Sequence, residues 1–134
     1  MGCVAGVGIW KSTVQSDPAR ASQSSQLAVL WTSGDPDVAH RVCLMYTHAA
    51  QKNEWFAQVK LIVWGPSARL LAGDRELQSK VQALIADGVH VQACVVCADS
   101  YGVTKYLRAL GIEVKQMGEP LTDLLKDGWK VLTF

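Results

Sequence analysis

The hydrophobic positions of the chain fall into two alternating kinds of segment. Short runs of mostly apolar residues, typical of buried strands, alternate with longer segments whose apolar residues recur every three or four positions, as on one face of a helix. Five strand-like runs are predicted, at residues 27–32, 59–64, 89–94, 112–116 and 129–134. This alternation, with its short links, predicts an α/β fold in which right-handed crossovers build one parallel sheet covered by helices on both faces.

Glycines mark the junctions where three of the helices end. Gly88, Gly111 and Gly128 each stand directly before a strand-like run. Glycine adopts the left-handed backbone just past a helix end at the least cost, so each is predicted to close the helix before it. Those helices are predicted near residues 74–87, 100–110 and 120–127.

The first helix is predicted to begin with Asp35 as its N-cap and Pro36 at its first position. Its apolar stripe is predicted to contain Val38, Val42, Met45, Tyr46 and Ala49. Cys43 lies on a helical face that it shares with small and aromatic residues. We therefore expect Cys43 in the core or at an interface, and not as a reactive thiol.

Two strands differ in a way that bears on their order in the sheet. Residues 59–64 are apolar on both faces, which indicates an interior strand, whereas residues 112–116 alternate apolar and charged, which suits an edge. An interior second strand disfavours the flavodoxin-like order, in which that strand is an edge. In the third strand His90, Gln92 and Cys94 share one face. We expect that face to meet a subunit interface or a solvated pocket.

The composition excludes several classes of protein. The chain has 134 residues, the size of one domain, with 49% hydrophobic residues, 19% charged residues and a net charge of +1. We therefore expect no nucleic-acid surface and no membrane patch, and no apolar run is long enough to span a bilayer. Four cysteines are too few for a disulfide scaffold and indicate a reducing, cytoplasmic compartment.

The N-terminal region lacks the alternation of strand-like and helix-like segments seen in the rest of the chain. Residues 11–26 are rich in Ser and Gln and have no apolar period. We predict that residues 1–26 form a flexible arm and that a single domain occupies residues 27–134. Residues 3–10 are apolar but lack the basic segment and the cleavage site of a signal peptide.

Cys94 is the best nucleophile among the residues predicted to follow the strands, where ligands bind in open α/β sheets. It ends the third strand, and Cys97 lies three residues on, just before the predicted helix. The unpaired N–H groups at a helix N-terminus favour a thiolate, which is the nucleophilic form of cysteine. Cys94 is therefore the catalytic candidate and Cys97 a secondary one. The alternative is that both are small, buried and unreactive.

Residues at the same strand ends also allow a redox, a metal-binding or an anion-binding function to be considered. The C-x-x-C spacing of Cys94 and Cys97 also fits a redox-active dithiol. A structural zinc site needs four ligands, and we predict no metal and no cofactor. Ser33 and Gly34, after the first strand, form either a small anion-binding turn or a plain capped turn. Neither a Walker loop nor a dinucleotide-binding fingerprint occurs in the sequence.

The segment from Ala93 to Gly102 is similar to the cysteine-to-glycine segment of the DsrE/DsrF-like family, in which a cysteine closes the third strand and a glycine follows eight positions later. Further short motifs agree in order over residues 27–134: Thr-Ser-Gly-Asp-Pro, Gly-Pro-Ser, Met-Gly-Glu-Pro-Leu and the terminal Trp-Lys-Val-Leu-Thr-Phe. The resemblance implies a three-layer α/β/α sandwich with a five-stranded parallel sheet. It also implies a small cytoplasmic protein that accepts sulfur as a cysteine persulfide and passes it on.

Carried over by position, the resemblance makes Cys94 the persulfide cysteine. Asp99, Ser100, Tyr101 and Gly102, which follow it at the same strand end, are substrate-binding candidates. Ser100 and Tyr101 depart from the family pattern, because relay members have basic residues there. The predicted function is that of a sulfur carrier or sulfurtransferase. Two alternatives stay open: a non-catalytic, oligomeric binding module of the same fold, and a C-x-x-C thiol-redox protein.

The expected partners are other copies of the same chain and a sulfur donor or acceptor protein. The resemblance implies a homotrimer or a homohexamer. Trp55 and Phe56 add a weaker reason, because they lie in a connecting segment outside any predicted core stripe and aromatic residues are enriched at interfaces.

Overall fold

The computed structural model describes residues 25–134, in which five strands form one parallel sheet. The strands are β1 (Gln26–Trp31), β2 (Gln58–Val63), β3 (His90–Cys94), β4 (Glu113–Lys115) and β5 (Lys130–Thr133). Their order is β4-β3-β2-β1-β5, and every neighbouring pair runs parallel. The prediction of a five-stranded parallel sheet is confirmed. The predicted arm lies outside the described residues except for its last two positions, and Gln26 already belongs to β1.

The first helix, α1, covers residues 36–52 in three consecutive parts, which are a first turn (Pro36–Val38), a π-helical segment (Ala39–Cys43) and a regular part (Leu44–Lys52). The other helices are α2 (Pro66–Gly73), α3 (Arg75–Ala86), α4 (Val95–Ser100), α5 (Thr104–Ala109) and α6 (Gly118–Lys126). Asp35 caps α1 as predicted, because its carboxylate accepts hydrogen bonds from the N–H groups of Asp37 at 2.7 Å and Val38 at 3.3 Å.

The strand order explains how the helices divide between the two faces. The steps from β1 to β2, β3 and β4 all move in one direction, so right-handed crossovers place α1 to α5 on the same face of the sheet. The connection from β4 to β5 crosses the whole sheet in the reverse direction, so the helix that it contains, α6, lies on the opposite face. For residues 25–134 the result is a three-layer α/β/α sandwich with α6 as its third layer.

Each face of the sheet has its own apolar core. On the α1–α5 side, Leu27, Val29 and Trp31 of β1 are at most 1% exposed and pack with buried residues of the five helices. On the α6 side, the buried cluster consists of Ala28, Ile62, Cys94, Met117 and Leu124. The residues of β1 and β2 alternate between the two clusters because successive side chains of a strand point to opposite faces.

The apolar stripe predicted for α1 is wrong at Val42 and Met45, whereas Tyr46 packs against the core as predicted. Val42 and Met45 are 44% and 62% exposed, whereas Ala39, Cys43 and Leu44 are buried. A π-helical turn closes its hydrogen bonds over five residues instead of four, so the buried face shifts along the sequence relative to a 3.6-residue period. The interior position predicted for Cys43 is confirmed.

The helix predicted near residues 100–110 is two helices. The first, α4, begins at Val95, directly after the last residue of β3. It ends with Gly102 in the left-handed region, at a φ of 69°, and α5 follows from Thr104. Cys97 consequently lies inside a helix and not in a loop before one.

The predictions for strand position and helix ends agree with the structure. The second strand, β2, is in the middle of the sheet, and β4 is at one edge. Gly88, Gly111 and Gly128 have φ values of 99°, 91° and 82°, as expected for glycines that follow helices in the left-handed conformation.

Candidate functional site

Cys94 stands at the carboxyl end of β3, where the strand turns directly into α4. Its backbone is still extended, with φ −70° and ψ 118°, and it is the N-cap residue of α4. The side chain belongs to the apolar cluster on the α6 side, packs there with Met117 and is 5% exposed. The thiol is therefore placed at the sheet edge that the topology makes available to ligands, but just below the surface.

Cys97 lies one helical turn further on and packs against the same cluster. It is partly exposed, whereas Cys94 is buried. Both side chains contribute to the same cluster, so both thiols are on the α6 side of the sheet. Residues three apart on a helix have Cβ atoms about 5–6 Å apart. A disulfide requires Cβ atoms about 3.5–4.5 Å apart, so this spacing alone does not favour one.

Opposing effects act on the pKa of the Cys97 thiol, and together they raise it. Burial among apolar side chains raises the pKa of the Cys97 thiol, and the neighbouring Cys94 thiol raises it further. The backbone N–H of Gly65 acts in the other direction and favours the thiolate. Trp64 and Leu121 flank the pair as partly buried members of the cluster.

Gly65 has a backbone conformation that residues other than glycine rarely adopt. Its φ is 71° and its ψ is −138°, at the point where β2 gives way to α2. A Cβ at this position would meet nothing within 4 Å, so glycine is required here by conformation and not by crowding. The Gly-Pro-Ser motif was identified in the sequence, but its contact with Cys97 required knowledge of which strands are neighbours.

Ser33 and Gly34 form a capped turn at the same edge of the sheet. The Ser33 Oγ accepts a hydrogen bond from the Asp35 N–H at 3.1 Å. A Cβ on Gly34 would approach the Pro66 Cβ to 3.1 Å, so the turn after β1 packs closely on the turn after β2. The structure places these two residues beside the β2 turn that reaches Cys97, and their role in binding stays a prediction.

Ser67 fastens the ends of β1 and β2 to each other. Its buried hydroxyl donates to the Trp31 carbonyl oxygen at 2.5 Å and accepts from the Trp64 N–H at 3.1 Å. The Thr32 carbonyl oxygen accepts from the Ser67 N–H at 3.2 Å. These bonds hold the β2 turn, and with it the Gly65 N–H, in a fixed relation to the sheet.

The other predicted binding residues follow the cysteines along α4 and are exposed. Asp99 accepts a hydrogen bond from the Thr104 hydroxyl, and the Ser100 hydroxyl donates to the Cys97 carbonyl oxygen at 2.9 Å. The Tyr101 ring lies 5.4 Å from the Arg69 guanidinium, a cation–π distance. Asp99 and Ser100 thus stabilise α4 and its link to α5, and Tyr101 ties α4 to α2.

The α6-facing surface of β3 and β4 is charged, and Lys115 is the register partner of Cys94. Glu113 of the edge strand β4 accepts hydrogen bonds from Lys115 at 2.7 Å, His90 at 2.6 Å and Gln92 at 3.3 Å. The Lys115 ammonium, followed by His90, lowers the pKa of Glu113 to about 2. Gln92 is buried, and its Oε1 has no hydrogen-bond partner within residues 25–134. The polar third-strand face identified in the sequence is thus largely paired within the chain.

Cys43 is separated from this chemistry by the sheet. It lies in the α1–α5 core, is fully buried, and burial raises its pKa to about 12. In the part of the chain described by the structure, no group of three or more His, Cys, Asp or Glu side chains is placed to hold a metal ion. Over the same residues no helix has the length and apolarity needed to cross a membrane.

Fold and site together define a small α/β protein with a thiol pair at the carboxyl edge of a parallel sheet. The sequence profile of the DsrE/DsrF-like family matches residues 25–134. The chain therefore belongs to the DsrE/DsrF-like family, which is associated with sulfur relay. A search of curated proteins found no match.

Solved structures share the fold. A conserved protein of unknown function from Bacteroides thetaiotaomicron superimposes with a TM-score of 0.79 at 31% identity, covering 90% of this chain and 100% of that one. A protein of unknown function from Methanobacterium thermoautotrophicum gives 0.71 at 13% identity, with 83% and 100% covered. The ychN protein from E. coli gives 0.65 at 22% identity, with 83% and 99% covered. The last two likenesses show the fold alone.

Proposed function

We propose that this protein is a sulfur carrier that holds sulfane sulfur as a persulfide on Cys94. The observation that carries the proposal is the position of Cys94 at the carboxyl end of β3, beside a second thiol, in a member of a family associated with sulfur relay. Cys94 is a buried member of an apolar cluster, and this burial limits the access of water and of small oxidants to a persulfide formed there.

The loading step is a thiol–persulfide exchange. A cysteine thiolate of the carrier attacks the outer sulfur of a donor persulfide, the S–S bond of the donor breaks, and the donor leaves as a thiolate. No net oxidation or reduction takes place, so the carrier needs no cofactor for this chemistry. The sulfur donor or acceptor protein predicted from the resemblance supplies and removes the sulfur.

Mass spectrometry of the loaded protein tests this function. The protein, with Cys3 replaced by Ser to remove a thiol outside the described residues, is treated with inorganic polysulfide, freed of excess reagent and fragmented. One additional sulfur atom on Cys94 is expected. Cys43 serves as an internal control and should carry none, because it is buried and its pKa is raised to about 12. An unmodified Cys94 in protein that is otherwise folded rejects the proposal.

A non-catalytic binding module is the second candidate, and the burial of Cys94 favours it. At 5% exposure this thiol is close to the burial of an ordinary core residue. Under this alternative the protein acts through its surfaces, and Cys94 only fills space beneath α6. Polysulfide treatment would then leave Cys94 unmodified while the partly exposed Cys97 still reacts with thiol reagents.

We also propose that the chain assembles with copies of itself, as a trimer or a hexamer. Support comes from exposed apolar side chains on α1 and the segment after it. Val42 is 44% exposed and Trp55 is 45% exposed, and the Trp55 ring packs on Tyr46 with centroids 5.9 Å apart. Val42 and Tyr46 both belong to α1, and we call the surface that contains Val42, Tyr46 and Trp55 the apolar strip.

A further inference from the structure

The two thiols of the site differ in how easily another protein can reach them. Cys94 is 5% exposed, as a buried member of the apolar cluster at the end of β3, whereas Cys97 is partly exposed. A donor that carries its persulfide on a folded protein must bring one sulfur into contact with another. The outer thiol, Cys97, meets that sulfur first.

We infer that Cys97 is the receiving thiol, which takes sulfur from a protein donor and transfers it to Cys94, where it is held. This inference rests on the proposed function and adds the route by which the sulfur arrives. It is carried by three observations on the described residues: the unequal exposure of the two thiols, their packing on the same apolar cluster, and their spacing of three residues at the start of α4.

The Gly65 N–H favours the thiolate of Cys97, although burial and the Cys94 thiol together still raise the pKa of Cys97. The attacking species in sulfur exchange is the thiolate, and the same group is the leaving thiolate when sulfur moves on. A backbone N–H held in place can donate to the negatively charged sulfur in both steps. The bonds of Ser67 to the ends of β1 and β2 fix the turn that presents this N–H.

Both steps balance without an outside oxidant or reductant. In the first, the Cys97 thiolate attacks the outer sulfur of the donor persulfide, the donor S–S bond breaks, and the donor departs as a thiolate. In the second, the Cys94 sulfur attacks the outer sulfur of the Cys97 persulfide, that S–S bond breaks, and the proton of the Cys94 thiol passes to the Cys97 sulfur. The transferred atom keeps its oxidation state, and Cys97 is restored as a thiol.

Attack on the inner sulfur would give a different result. If Cys97 attacked the Cys94 atom of a Cys94 persulfide, a Cys94–Cys97 disulfide would form and hydrosulfide would leave. The transferred sulfur would be reduced and the two thiols oxidised, so each turnover would require a separate dithiol reductant. The relay requires none, and the two routes give products that differ in mass.

The test compares a large and a small sulfur donor on single-thiol variants. Persulfidated serum albumin is the large donor and inorganic polysulfide the small one, and every protein carries Cys3→Ser. With albumin, Cys97→Ser should load Cys94 at least about tenfold more slowly than the parent, because exchange rates depend on access to the attacking thiol. With polysulfide, the same variant should load Cys94 within about threefold of the parent.

Cys94→Ser is the matched variant. It should take sulfur from albumin onto Cys97 at close to the parental rate, and its persulfide should be capped by iodoacetamide faster than the buried persulfide of the parent. Cys97→Ala, measured beside Cys97→Ser, shows that the loss follows from the missing thiol and not from the new hydroxyl. Circular dichroism confirms that each variant is folded.

The relay is overturned if Cys97→Ser loads Cys94 from albumin as fast as the parent does. It is also overturned if the parent gives a Cys94–Cys97 disulfide and free sulfide in place of a persulfide. Failure of the proposed function has another signature, since Cys94 would then take up no sulfur in the parent from either donor.

Discussion

At the scale of single residues, neighbouring side chains lower the pKa of Glu113. The Lys115 ammonium, with a smaller contribution from His90, lowers the Glu113 pKa from 4.5 to about 2. A carboxyl whose pKa is lowered in the folded state stabilises the fold fully above its unfolded pKa, and this contribution is lost as the pH falls through the folded pKa. The free energy of unfolding should therefore decrease between pH 4.5 and about pH 2 partly on account of Glu113.

Glu113→Gln should flatten that decrease. Since the Glu113 side chain is 42% exposed, solvent and salt screen its ion pairs, and the loss of stability at neutral pH should be only about 0–1 kcal/mol. Urea denaturation at a series of pH values, in low and in high salt, measures both effects. Glu119→Gln is the control, because Glu119 is exposed and has no ion pair among the described residues. Parallel pH profiles for the parent and Glu113→Gln would contradict the assignment.

The reactivity of the thiols is also a single-residue property. In the native protein with Cys3→Ser, we expect Cys97 to react first with a thiol reagent, Cys94 more slowly, and Cys43 only on unfolding. The reasons are the partial exposure of Cys97, the 5% exposure of Cys94, and the complete burial of Cys43, which raises its pKa to about 12. Time-resolved labelling with peptide mapping measures the order. Labelling of Cys43 at the rate of Cys97 would contradict the structure.

Sequence reasoning located Cys94 but not its surroundings. The position of Cys94 at a strand end follows from local pattern, because apolar runs and helix-ending glycines are visible in the sequence. The effect of the Gly65 N–H on the Cys97 pKa joins residues about thirty positions apart, and it depends on β2 and β3 being neighbours. Strand neighbours are set by tertiary packing, which a single sequence does not reveal.

At the scale of elements, helix ends are the features that local sequence determines best. Gly128 follows α6 with a φ of 82°, and a Cβ there would meet nothing within 4 Å. Gly128→Ala should therefore cost about 1–2 kcal/mol through backbone strain alone. Gly73, the last residue of α2, has equal space and no left-handed φ. Gly73→Ala should be neutral or stabilise by up to about 1 kcal/mol. Thermal or urea denaturation of both variants measures the difference, and equal effects would contradict it.

The first helix shows where local pattern misleads. A period of 3.6 residues placed Val42 and Met45 on the buried face, and the π-helical segment Ala39–Cys43 turns them outward. Such a segment has no marker in the sequence that we can identify. The buried positions of α3, by contrast, follow the predicted spacing, because Leu77, Val81 and Leu84 occupy an uninterrupted α-helix.

At the scale of the whole molecule, the outward turn of α1 leaves an apolar strip made of Val42, Tyr46 and Trp55. Exposed apolar side chains that form a continuous surface mark association sites more often than isolated ones do. Aromatic residues are enriched at the centres of interfaces and supply much of their binding energy. The strip lies on the face opposite to the helix that covers the cysteines, so assembly through it leaves the thiol pair accessible to a donor.

Light scattering on the purified protein tests the proposed assembly through this strip. At micromolar concentration the parent should have a mass near three or six times 14.6 kDa. Replacing Val42 and Trp55 together by Lys places two charges where an interface must exclude water, and the variant should fall to about 14.6 kDa with an unchanged circular dichroism spectrum. Tyr106→Lys is the matched control, since Tyr106 is 66% exposed on α5, outside the strip, and this variant should keep the parental mass. A parent near 14.6 kDa would mean that the chain does not assemble. A double variant with the parental mass would place the interface elsewhere, and the charged sheet surface around Glu113 would then be the next surface to mutate.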